Sequence, residues 1–361
     1  MSVLTRMYRG ETKFDFVAIS RKTLIVSAVL VVASILMMLV RPFNLSIDFT
    51  GGVLITVENK TGVTVEAIRV DLRSVGYGDA RVQITGDGFI HVQTESLSAD
   101  EQDALTAAVA DAAGADINDL NVSAVGPTFG AEVTRKAIEA LVVFLIVVAL
   151  FITWRFEWKM AAAALTALFH DLMIAGGIYA LIGFVVTPAT IIAVLTILGY
   201  SLYDTVVVFD KVKENVHDQD ERATYTSIVN LSMNQVLMRS INTSLTSLLP
   251  VGTLLLVGFL AIGAETLKEF ALALFIGVAV GTYSSIYVAA PLLARWKNKE
   301  PEWERRDRKA AKRGGTGQGA AIDKKKVDTR SLDKEKVEAP APTTDSTVPV
   351  ARPPKQRRKR R

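Results

Sequence analysis

Three ionisable side chains stand where charge is expensive. Asp171, Asp204 and Arg239 each lie inside a long apolar stretch. A charged group at the centre of a membrane helix costs at least ~2.5 kcal/mol on insertion scales, so such residues are functional candidates by default. At 1.5 Å per residue, Asp171 sits ~16 Å from the start of its stretch and Asp204 ~9 Å from the end of the next. Arg239 lies a turn into the stretch after that. The stretches holding Asp204 and Arg239 run antiparallel, so the two residues fall at similar depth. Arg239, Asn242, Thr243 and Thr246 follow 3-4 spacing and share a helical face. Ser201 and Thr205 flank Asp204, and His170 precedes Asp171 but points about 100° away from it. A polar seam of this kind can hold water and pass a proton. A carboxylate is its natural carrier, because desolvation favours the protonated form and a nearby arginine favours the charged one.

These residues need a membrane-embedded frame. Half of the 361 residues are hydrophobic and the mean hydropathy is +0.31, yet 22% are charged. Apolar and charged residues must therefore be segregated along the chain. Six stretches reach the ~20 residues that span a bilayer: about Thr23–Val40, Ala137–Trp154, Met160–Val185, Thr190–Phe209, Gln235–Val257 and Leu267–Ala294. The first ends at Val40-Arg41-Pro42 without a small-residue cleavage site and reads as an uncleaved anchor. Pro188 and Pro250 start or kink their helices. Gly277 and Gly281 form a G-x-x-x-G that favours close helix packing.

The net charge of +4 hides two opposed regions. Residues 295–361 hold 22 basic against 10 acidic side chains, and residues 42–135 hold 5 against 14. Short-loop lysines and arginines cluster at the N-terminal segment (Arg6, Arg9, Lys13, Arg21, Lys22), at Arg155 and Lys159, and at Lys211, Lys213 and Arg222. Gly183–Pro188 and Gly258–Thr266 carry none. The positive-inside rule then predicts both termini cytoplasmic and residues 41–136 outside. The expected divisions are a cytoplasmic segment 1–22, a first span 23–40, an extracytoplasmic domain 41–136, a five-helix bundle 137–294 and a disordered basic tail 295–361. Asp210–Arg222 is expected as a solvated or interfacial helix. The tail ends in Lys355-Gln356-Arg357-Arg358-Lys359-Arg360-Arg361, which reads first as attraction to anionic lipid, beside contact with nucleic acid or the ribosome and mere solubilisation. No aromatic follows Trp303, which argues against sequence-specific nucleic-acid binding.

Residues 41–136 read as a small α+β domain. Leu45–Val57 is expected as a strand bent at Gly51-Gly52, and Val63–Val75 as an amphipathic helix. Arg81–Gln93 alternates about Gly86-Asp87-Gly88 as a hairpin. Ser98-Ala99-Asp100-Glu101 is a capping box opening a helix through Ala113, and Leu120–Val125 closes as a strand. The order β-α-β-β-α-β is the split ferredoxin-like arrangement. His91, in a strand with no second ligand or base nearby, reads as a surface residue. The absence of cysteine excludes disulfides, thiolate metal sites and cysteine nucleophiles. No Walker A string is present, so direct ATP use is not expected. No cofactor or metal is expected, and no enzymatic activity.

Six strings sharpen this architecture: Ile47-Asp48-Phe49-Thr50-Gly51-Gly52, Val125-Gly126-Pro127-Thr128-Phe129-Gly130-Ala131-Glu132, Phe169-His170-Asp171, Gly199-Tyr200-Ser201-Leu202-Tyr203-Asp204-Thr205-Val206-Val207-Val208-Phe209-Asp210, Arg239-Ser240, and Gly281-Thr282-Tyr283-Ser284-Ser285-Ile286-Tyr287. In this order, each at its place relative to the spans, they resemble the SecF family, the smaller subunits of the SecD–SecF accessory complex of bacterial protein export, within the RND superfamily. The resemblance covers about residues 20–295. It implies a plasma-membrane protein that pairs with a SecD-like subunit, associates with the SecYEG channel and uses the proton-motive force to help pull exported preproteins outward. It assigns the proton path to Asp204 and Arg239, with Asp171 as a weaker correspondence. One departure is Tyr203, where the family usually has asparagine. Two other readings are an RND-type half-transporter for small molecules or lipids, and a scaffold in which Asp204 and Arg239 form a static ion pair.

Overall fold

A computed structural model describes residues 12, 14–85, 88–219, 223–260 and 265–312. The Gly86-Asp87 turn, Arg6, Arg9, Lys13, Arg222, much of the Gly258–Thr266 loop and the tail beyond Lys312 lie outside the described residues.

The first apolar stretch is a helix, α1 (Phe16–Val40). It starts before the expected Thr23 because Asp15 caps it, accepting from Ala18 N–H at 2.8 Å. Asparagines of a later helix also hold its entry. Asn234 accepts from Phe14 N–H and donates to Phe14 C=O, and Asn230 accepts from Val17 N–H.

The expected strand Leu45–Val57 is broken. The structure has a two-residue strand β1 (Asn44–Leu45), a single helical turn α2 (Ile47–Thr50) and then β2 (Gly52–Glu58). Gly51 and Gly52 have φ of 72° and 121°, so the chain turns there instead of running straight. After β2 come α3 (Val65–Ser74), β3 (Arg81–Ile84), β4 (Phe89–Thr94), α4 (Ala99–Ala113) and β5 (Asn121–Val125). The capping box at Ser98 and Glu101 forms as expected. The sheet order is β3-β4-β2-β5 and every pairing is antiparallel. Alternation along β2 buries Val53, Ile55 and Val57 against Ile68 and Leu72 of α3 and Leu105 and Val109 of α4. Burying each such side chain contributes about 1.5–3 kcal/mol, which holds both helices on one face of the sheet.

The remaining apolar stretches are α5 (Pro127–Arg155), α6 (Trp158–Ile182), α7 (Pro188–Asp218), α8 (Tyr225–Leu260) and α9 (Glu265–Ser284). The sixth stretch continues through a π-helical turn (Ser285–Ala289) into α10 (Ala290–Lys297). Among the described residues, six helices are thus long and apolar enough to cross a membrane. Pro188 stands in the first turn of α7 and Pro250 lies within α8. The charged linker expected at Asp210–Arg222 is, through Asp218, an unbroken continuation of α7. Its inner face is buried at Val212 and Asn215, and Asn215 donates to Ser232 and Gln235 of α8. The two-residue strand β6 (Val185–Val186), between α6 and α7, pairs in parallel with β1. Asn44 adds to this joint, donating to Gln83 of the sheet and to Gly183 C=O at the end of α6.

The disorder expected from residue 295 does not hold for residues 295–312. Residues 301–312 form a helix, α11 (Pro301–Lys312). Its Trp303 is buried edge-on against Tyr225, with ring centroids 4.9 Å apart. That apolar anchor outweighs the polar composition which suggested disorder.

Candidate functional site: two buried carboxylates in the helix bundle

Small residues bring the site together. A Cβ on Gly277 would meet Ile197 Cδ1 at 2.2 Å, and one on Gly281 would meet Ser201 Cβ at 2.8 Å. The G-x-x-x-G therefore lets α9 press onto α7 at the level of Asp204. Gly177 does the same for α6 and α1, where a Cβ would lie 2.3 Å from Ser34 Oγ. Gly51 does it at the root of the α/β domain, where a Cβ would lie 2.7 Å from Pro127 Cα.

Asp171 on α6 and Asp204 on α7 are both buried, at 2% and 6% exposure. Asp204 accepts from Ser240 Oγ of α8 at 2.7 Å and from Ser285 Oγ of the π turn at 2.9 Å. Asp171 accepts at Oδ2 from Ser201 Oγ of α7 at 2.5 Å and from Ser284 Oγ of α9 at 2.8 Å. The imidazole of His170 folds back towards its neighbour, placing Nδ1 3.0 Å from Asp171 Oδ1. The 100° divergence of adjacent helical positions does not separate these two groups, because both side chains reach the same interhelical space.

Arg239 takes a different position from the one expected. It does not pair with Asp204. Its Nη2 donates to Tyr203 Oη at 2.9 Å, and its guanidinium lies 5.9 Å from the Tyr203 ring centroid. Both side chains are exposed on the bundle surface. The depth match of α7 and α8 holds, but α8 turns Ser240, one residue on, towards the carboxylate. A static Asp204–Arg239 pair is therefore not present. Along the seam beyond Arg239, the hydroxyls of Thr243 and Thr246 bond carbonyls of their own helix.

Serine residues thus supply most of the coordination, and three of them escape a search for charges: Ser240, Ser284 and Ser285. Their only signal is position, next to Arg239 and in the G-T-Y-S-S string. The π turn is the local device that serves the last two. π-Turns recur at functional sites, and here adjacent serines at its start reach carboxylates on two different helices. Hydroxyls both donate and accept, so this shell can serve an aspartate in either protonation state.

His91 is half-buried and lines an open cavity of about 390 Å³ at the free face of the sheet. Asp48, Arg81 and Glu269 line it as well.

The chain and its fold have known counterparts. The model for the protein export membrane protein SecD/SecF C-terminal region matches residues 105–299, and that for the SecD/SecF GG motif matches residues 37–61. The chain belongs to the SecD/SecF protein-export family. It is a multi-pass membrane protein. The protein translocase subunit SecF of Streptomyces coelicolor is 40% identical over 319 residues, covering 88% of this chain and 85% of the relative. That of Mycobacterium tuberculosis is 40% identical over 339 residues, covering 91% and 77%. The crystal structure of SecDF from Thermus thermophilus, described as a translocon-associated membrane protein, superposes with a TM-score of 0.72 at 35% identity. This SecD/SecF-family chain spans 39% of that longer one, which covers 80% of it in return. The GG match encloses Gly51-Gly52, of which Gly51 lies against the Pro127 backbone and Gly52 against that of Thr94.

Proposed function

We propose that this chain is a non-enzymatic accessory subunit of the Sec export machinery that uses the proton-motive force, with no cofactor, to promote preprotein translocation and release on the outer side of the membrane. One observation carries the reading: two buried aspartates inside membrane helices, held by hydroxyls that accommodate both the charged and the protonated state. A group built only for stability has no need of that tolerance, since a buried charge costs more than a packed apolar side chain. Asp204 is the principal proton carrier, Asp171 a second, and Arg239 the cation whose approach or withdrawal biases them.

Arg239 also supports a partner. A guanidinium at membrane depth faces a bundle interior or a wet cavity, not lipid. Here it is exposed on this chain alone, so a second set of helices covers it. SecDF chains, in which both halves are fused, make a SecD-like subunit the natural occupant. SecYEG and the exported chain complete the assembly in this reading. The antiparallel order β3-β4-β2-β5 supports a ferredoxin-like label for the small domain. The distribution of lysine and arginine supports that domain outside the plasma membrane, both termini in the cytoplasm and a basic tail drawn to anionic lipid. Gradient-driven export by membrane vesicles carrying Asp204→Asn tests the reading; normal export with normal membrane levels of the protein sinks it.

A further inference from the structure

His170 is buried at 4% exposure, and its Nε2 has no hydrogen-bond partner. A buried unpaired polar atom is costly and calls for an explanation. Asp171 supplies part of it. As a carboxylate it only accepts, and its Oδ2 is already engaged by two serine hydroxyls. The contact at Oδ1 therefore requires the proton on His170 Nδ1. In the neutral ring, Nε2 is then a bare lone pair inside the bundle.

The surroundings fit a group that takes up a proton. The ring stacks on Tyr283, with centroids 6.0 Å apart, and Tyr283 stacks in turn on Tyr287. The Tyr283 hydroxyl lies 3.0 Å from Ser27 Oγ of α1. Among the described residues, the titratable groups in contact with His170 are Asp171 on its own helix and the phenol Tyr283 of the last span, with Tyr287 stacked behind Tyr283. α1 contributes the hydroxyl of Ser27, α7 that of Ser201 and α9 that of Ser284. Among the described residues, no lysine or arginine forms an ion pair with Asp171. An imidazolium would be its one cationic neighbour, and the Tyr283 face favours such a cation.

We propose that His170 is a proton-relay group of the membrane site, accepting a proton at Nε2 and delivering the one on Nδ1 to Asp171. The step balances. The incoming proton makes an imidazolium, the Nδ1 proton moves to Asp171 Oδ1, and a neutral aspartic acid faces the Nε2–H tautomer. Return of the Asp171 proton to Nδ1, with loss of the proton on Nε2, resets the pair. This rests on the proton-driven reading above and adds a third proton-carrying residue to it.

The test uses the full chain, 15N-histidine-labelled, assembled with its unlabelled SecD-like partner in bilayers. With three histidines in the chain, the His170 signals can be assigned by substitution. Solid-state NMR should show the Nδ1–H tautomer at alkaline pH and a proton on Nε2 after acidification. Export driven by a proton gradient should fall at least ~10-fold in His170→Asn, which keeps a donor near the Nδ1 position but cannot relay a proton. An Nε2–H tautomer already at alkaline pH, an Nε2 that stays bare on acidification, or full export by His170→Asn each overturns the relay. Asp204→Asn, run alongside, separates the two levels: normal export there defeats the proton-driven reading itself, whatever His170 does.

Discussion

Arg239 Nη2 and Tyr203 Oη form a 2.9 Å hydrogen bond between α8 and α7, one residue away from Asp204 on one helix and from Ser240 on the other. The bond parks the arginine beside the carboxylate's helix without neutralising the carboxylate. A phenol performs the docking here.

Tyr203→Phe keeps the ring under the guanidinium and removes only the hydroxyl. A hydrogen bond to a charged group contributes about 1.5–3 kcal/mol, and an exposed one less. We expect normal membrane levels and a several-fold change in gradient-driven export. Tyr203→Asn should restore most of it. Equal export by all three proteins would remove Tyr203 from the mechanism.

The serine shell makes a second prediction. Ser240→Ala and Ser285→Ala each strip one donor from Asp204, and the double variant strips both. Because the two hydroxyls serve one acceptor, their effects should be non-additive. Export measured in a double-mutant cycle should give a coupling of about 0.5–3 kcal/mol. Strict additivity would argue that the hydroxyls do not serve a common carboxylate.

Close approach of helices can be tested through the glycines. Gly277→Ala places a Cβ into Ile197, and Gly281→Ala places one against Ser201. Overpacking of this kind costs about 1–3 kcal/mol, read as a lower midpoint of thermal unfolding in detergent or lipid. Gly51→Ala meets the Pro127 backbone and also forces a side chain to φ 72°. It should destabilise by more than about 1 kcal/mol.

Much of this frame was legible beforehand. Six apolar stretches, the alternation along β2 and the Ser98 capping box each follow from local pattern. The hidden parts depend on how helices rotate about their axes. Nothing in the order Arg239-Ser240 says which of the two faces Asp204, because a 100° turn exchanges them. The same holds for Ser284 and Ser285, whose placement depends on a π turn without a residue signature of its own. Helix ends were missed where side chains from distant helices extend them, as Asn230 and Asn234 do for α1, and Trp303 and Tyr225 for α11.

An acid-sensitive joint lies at the other end of the bundle. Glu300 pairs with Lys159 at 2.9 Å and with Lys297 at 3.2 Å, while Lys297 also pairs with Glu157. Burial pushes the Glu300 carboxyl up, but the hydrogen bonds from Lys159 and Lys297 outweigh it and hold it below the ordinary value. A lowered carboxyl contributes stability that is present above its unfolded value, near about 4.3, and lost as pH falls through the folded value. Acidification into that window should loosen the docking of α11, reported by Trp303 fluorescence. Glu300→Gln should flatten that acid limb; an unchanged pH profile would contradict the assignment.

The most direct measurement of the central claim is preprotein translocation into proteoliposomes containing SecYEG, the SecD-like partner and this chain, with and without an imposed proton gradient. Wild type should translocate faster with the gradient. Asp204→Asn, present at equal amounts, should translocate at the same slow rate with or without it. A gradient response that survives in Asp204→Asn would contradict the account.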